Sequence, residues 1–174
     1  MGFSNISIIG RAAYCIYSLE IYFKENGYNL DEFKLLFDTL WSFSEMEYVD
    51  EYAYKIIEYN PETIFDENEE FEYLDVDELL IMKNLYMKMH SKDLSVVTFM
   101  LDGIYNLMSS HLYTGNTAPA THSLDVINDE LLPFIQKKIK KYPDAEMFEI
   151  YNINDNSCWG TFYSRQHLLQ DKKD

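Results

Sequence analysis

The stretch from Phe65 to Glu78, FDENEEFEYLDVDE, holds eight carboxylates in fourteen residues and no Lys or Arg. Carboxylates this dense suit cation ligation, acid–base catalysis, or recognition of a cationic surface. An EF-hand loop starting at Asp66 would need glycine at its sixth position and a bidentate glutamate at its twelfth. Phe71 and Asp77 stand there instead, so no specific calcium site is expected. Paired carboxylates also serve glycoside hydrolysis, but nothing nearby suggests a sugar-binding context.

The other chemistry-bearing side chains are scattered. His90, His111, His122 and His167 show no HExxH spacing. Cys15 and Cys158 form neither a metal pattern nor a redox pair. The chain has six Gly and lacks both a G-x-S-x-G elbow and a Gly-rich phosphate loop. The expectation is a protein that is not an enzyme and needs no metal and no cofactor.

Recognition of a cationic surface remains. Phe43 to Glu78 contain fourteen acids and one base, Lys55, so 13 of the chain's 16 net negative charges lie in that span. Such a face repels nucleic acid and anionic lipid and attracts basic surfaces. The basic run QKKIKK (Gln136 to Lys141) reads as the end of a helix, where lysines complement the dipole. The N-terminal MGFSNISIIGR is no secretory leader, because Arg11 cuts its apolar run short. No stretch approaches the roughly 20 apolar residues of a membrane span. A reduced, cytoplasmic chain is expected.

The elements that must position these acids read as helices. The 174 residues fit one domain, 1–174, mainly α: a bundle of five to six helices with a small hairpin or irregular appendage over 143–174. Apolar stripes mark the first helix (Ile8, Ala12, Cys15, Ile16, Leu19, Tyr22, Phe23) and a second over Asp31 to Ser44. A third spans Glu45 to Tyr59 and stops at Asn60-Pro61. Asp75 with Glu78 forms a capping box for the fourth, and Asp93 caps a fifth. GNTAPATHS (Gly115 to Ser123) reads as a loop. A last helix over Glu130 to Tyr142 takes Asp129 as its cap, with Pro133 in its first turn. Met147 to Ile153 and Cys158 to Tyr163 fit a β-hairpin, with a short helix as the alternative.

On the third helix, Tyr48, Tyr52 and Tyr59 align beside the core stripe, with Glu47, Glu51 and Glu58 on a further face. A tyrosine row at the edge of a core explains this. So does a contact surface, since tyrosine gives large contact area at low entropic cost. The expected partner-binding residues are Glu47, Tyr48, Glu51, Tyr52, Asp66, Glu67, Glu69, Glu70, Glu72, Tyr73 and Asp75.

Trp41 to Tyr113 resembles an all-helical family of immunity proteins from bacterial polymorphic toxin systems, including contact-dependent growth inhibition. The matching features are Trp41, Asn60-Pro61-Glu62, an acidic loop ending in Tyr73, Asp77-Glu78 opening a helix, Leu85-Tyr86, and His111-Leu112-Tyr113. They cover under half of the chain. The resemblance implies tight binding and inhibition of a toxin encoded beside the protein; many such toxins are nucleases with basic active sites. The expectation is therefore an immunity protein that covers the basic surface of its cognate toxin. The rival is an acidic nucleic-acid mimic or regulatory adaptor that occupies a basic DNA-binding protein. The oligomeric state stays open.

Overall fold

The structure is a computed structural model that describes residues 2–44 and 48–170. Among these residues it is built from helices and turns, with one isolated antiparallel bridge between Ile6 and Asn152. The central helix is α1 (Ile8–Glu25), capped by Ser7 Oγ, which accepts the Gly10 N–H. Its apolar positions are not confined to one stripe, and fourteen of its eighteen residues are buried, as befits a helix surrounded by others.

Around it run α2 (Lys34–Trp41), α3 (Val49–Glu58), α4 (Pro61–Phe65), α5 (Val76–Met87) and α6 (Ser91–Ser109). α6 packs against both α1 and α3. Helical spacing predicts a buried stripe of Leu94, Val97, Leu101, Ile104 and Met108; the last four are wholly buried and Leu94 is half-buried. The capping box on α5 is present in both directions: Glu78 N–H to Asp75 at 2.9 Å and Asp75 N–H to Glu78 at 3.2 Å.

Several local expectations change. Asn60 does more than stop α3. Its side chain accepts the Glu62 N–H at 3.0 Å and so caps the short α4, with Pro61 supplying a first-turn φ. Asp93 is not a cap, because α6 starts two residues earlier, after His90. It is buried in the first turn, where it accepts the hydroxyls of Tyr22 at 2.5 Å and Tyr28 at 2.7 Å.

The predicted last helix is also displaced. The chain is helical from α7 (Thr121–Asp125), through a π-helical stretch at Val126–Leu131, into α8 (Leu132–Lys138). Pro133 cannot donate to the carbonyl four residues back, and the wider turn precedes it. This stretch sits tightly on α6: a Cβ at Gly103 would lie 2.2 Å from a Leu131 methyl.

The C-terminal hairpin does not form. The backbone of 151–159 pairs with the N-terminal segment instead: Ser7 N–H to Tyr151 O (2.8 Å), Ile9 N–H to Trp159 O (3.3 Å) and Ile153 N–H to Asn5 O (3.0 Å). Short 3-10 turns at Ala145–Phe148 and Asn156–Cys158 replace the strands, and α9 (Arg165–Gln170) follows. No helix among the described residues is long and apolar enough to cross a membrane.

Candidate protein-binding surface

α3 ends at Glu58, whose side chain folds inward and is buried. Its two oxygens accept three consecutive backbone N–H groups, from Glu72 at 2.7 Å and from Tyr73 and Leu74 at 2.8 Å each. Amide dipoles, not a cation, meet its charge. With the main-chain donors drawn in toward Glu58, the acidic side chains are left outside. Asp66, Glu67, Glu69, Glu70, Glu72 and Asp75 are all exposed.

The ion pairs among the described residues are Lys34–Asp38 and Arg165–Glu20. None reaches the acidic segment, so among the described residues its charges are compensated by no ion pair. Asp66 accepts from the Asn68 N–H (2.9 Å) and side-chain amide (3.1 Å), which shapes the turn after α4. Lys83 Nζ lies 6.0 Å from the ring centre of Phe65, just before that turn.

The tyrosines divide differently from the expected row. Tyr48 precedes α3 and is exposed, and Glu51 is exposed beside it. Glu47 lies outside the described residues. Tyr52 is not a surface residue. Its ring is buried with Ala53 and Ile56, and its hydroxyl donates to the Leu40 carbonyl. Tyr59 is buried as well. α3 packs on α6 along one side and on α2 along another, which widens its buried sector to take in the tyrosine row. Burying a large ring is worth on the order of 2 kcal/mol, and for Tyr52 a carbonyl satisfies the hydroxyl that would otherwise oppose it.

In its place stands a cluster that the helical spacing did not reveal. Tyr113 is 85 % exposed, in a left-handed conformation just past α6, and its hydroxyl donates to Asp50 in the first turn of α3. That bond, reinforced by the Asp50 charge, pushes the Tyr113 hydroxyl up to about 12. Tyr73 joins from the acidic segment. Its hydroxyl is also pushed up, by partial burial and by the charges of Glu72, Glu51, Glu58 and Asp50. Tyr54 is exposed next to them, 6.4 Å from Tyr105. Since Tyr54 lies two residues from Tyr52, burial of Tyr52 sends it outward.

α5 borders the segment on its other side. Val76, Leu80 and Met87 recur at helical spacing and are 73 %, 53 % and 61 % exposed. An exposed apolar stripe on the helix that follows the acidic loop has the composition of a binding face.

Elsewhere, charged side chains are internally satisfied. Arg11 is wholly buried. It donates to the carbonyls of Phe3, Pro119 and Ala120 and to Ser123 Oγ, and burial pulls it down to about 10. Glu20 lies in a cleft of about 700 Å³ with Trp41 and Lys34, and accepts from Trp41 Nε1 (2.7 Å) and from Arg165 (2.7 and 2.8 Å). Arg11 showed in the sequence only as a break in an apolar run, and Glu20 did not stand out, because each is a lone charge within an apolar pattern. No group of three or more His, Cys, Asp or Glu among the described residues could hold a metal ion.

Comparison with family models, curated proteins and solved structures finds no match. The surface must therefore be read from its own chemistry. It can attract and hold a cationic protein through carboxylate charge, tyrosine contact area and the α5 stripe.

Proposed function

We propose that this chain is an immunity protein: a non-enzymatic, cytoplasmic helical binder that neutralises a basic bacterial toxin, a nuclease, by covering its basic surface. One observation carries the reading. The segment from Asp66 to Asp75 is anchored on Glu58 through the backbone of residues 72–74, while its carboxylates stand exposed and form no ion pair among the described residues. Like charges so close repel one another, and a solvated loop serving only solubility has no need of an internal anchor. A cationic partner relieves that repulsion and gains a preorganised surface, which lowers the cost of binding.

The test is co-expression with the protein encoded by the neighbouring gene. The reading expects that protein alone to arrest growth, and this chain to restore growth and to co-purify with it. A neighbour that is harmless, or that stays toxic in the presence of this chain, would contradict the reading. Capture of many unrelated DNA-binding proteins would favour the nucleic-acid mimic instead.

A further inference from the structure

α4 and α6 enclose a groove of about 420 Å³ at the start of the acidic segment. Its walls are Pro61, Phe65, Leu94 and Phe99, and Glu62 and Asp102 stand on its lining. Phe65 and Phe99 are both exposed, and Phe99 is fixed by stacking on Phe134 with ring centres 4.0 Å apart. Asp102 takes one hydrogen bond, from Asn60 Nδ2 at 2.8 Å. Neither Glu62 nor Asp102 belongs to an ion pair among the described residues. Burial pushes the Asp102 carboxyl upward and the nearby Glu62 charge adds to it, against the lowering effect of the Asn60 hydrogen bond.

From this geometry we infer that the groove is a socket for one arginine side chain of the basic partner. Aromatic faces suit the stem and the guanidinium plane. Two carboxylates suit a planar fork of donors, and Asp102 has an oxygen left to accept. Lys83 stands 6.0 Å from the Phe65 ring centre but pairs with neither acid, so the arginine would supply the counter-charge that Glu62 and Asp102 lack among the described residues. The inference rests on the binding reading above and adds to it an anchor distinct from the exposed loop acids. Protonation competes with the cation, so binding in the groove weakens as pH falls through the raised Asp102 value.

The probe is the blocked tripeptide acetyl-glycyl-arginyl-glycinamide, titrated into the full chain and followed by the NMR signals of Phe65, Phe99 and the Asp102 carboxyl. The norleucine tripeptide serves as the uncharged control. The arginine peptide should shift the groove signals saturably, and the norleucine peptide should not. The double variant Glu62→Gln, Asp102→Asn, which keeps an acceptor for Asn60, should weaken binding at least fivefold. The loop variant Glu69→Lys, Glu70→Lys, Glu72→Lys should leave saturable shifts in the groove. Thermal melts of both variants check that each remains folded. Equal binding of the norleucine peptide, shifts confined to the loop acids, or full affinity in the groove variant would overturn the socket. Those results would leave the loop as a partner surface intact, since growth rescue tests that separately.

Discussion

The Glu58 carboxylate accepts the Tyr73 amide at 2.8 Å, and with it the amides on either side. A buried acid thus organises the most acidic stretch of the chain. The contact looks paradoxical by charge alone, yet the loop approaches Glu58 with its amide dipoles and holds its own carboxylates away.

Replacing Glu58 by Gln keeps the shape but removes the charge and turns an amide donor toward N–H groups. Hydrogen bonds to a charged group are worth about 1.5–3 kcal/mol each, so a loss of roughly 2 kcal/mol is expected by urea denaturation. Hydrogen exchange should show the amides of 72–74 losing protection first. Unchanged protection at those amides would show that Glu58 does not hold the loop.

Tyr113 and Asp50 make a second testable pair. The hydrogen bond between them keeps the phenol protonated and its hydroxyl near 12. In Asp50→Asn the value should fall toward the ordinary 10, read from the Tyr113 ring signals in an NMR titration. A Tyr113 titration that ignores the substitution would mean the two side chains do not meet in solution.

Asp93 supplies a pH-dependent contribution to stability. Burial opposes its charge, but the Tyr22 and Tyr28 hydroxyls more than offset this and hold the carboxyl below its usual value. The folded value lies below the unfolded one, about 3.9. The contribution is therefore complete above about pH 4 and is lost as pH falls through the lower, folded value. Asp93→Asn should cost about 1–2 kcal/mol at pH 7, and its melting curve should converge on that of the wild type in acid. A gap that does not narrow as pH falls below about 4 would contradict this.

Much of the helical framework was legible from periodicity. The stripe of α1 is buried as its spacing predicts, that of α6 is buried except for half-buried Leu94, and the Asp75–Glu78 box sits where its spacing places it. What periodicity missed were relations set by tertiary packing. Tyr52 borders the apolar stripe, and only a second neighbouring helix turns that border into core. Asp93 had the right type and place for a cap, but two tyrosines from far along the chain claim it. The β-rich tail had strand composition, yet its backbone partners lie at residues 5–9 and its turn is a run of left-handed residues at 156–158. Of the candidate surface, the exposed acids were readable from composition. The anchor at Glu58 and the Tyr113–Asp50 contact were not, because both join residues distant in sequence.

The central claim is that the exposed acids of the loop recruit a basic partner. Surface plasmon resonance against the protein encoded by the neighbouring gene, over a series of salt concentrations, tests it most directly. The wild-type on-rate should fall steeply with salt. The variant Glu69→Lys, Glu70→Lys, Glu72→Lys should associate more slowly and with a flatter salt dependence, because these residues stand at the rim and steer encounter. Wild-type association in that variant, with the salt dependence unchanged, would contradict the claim.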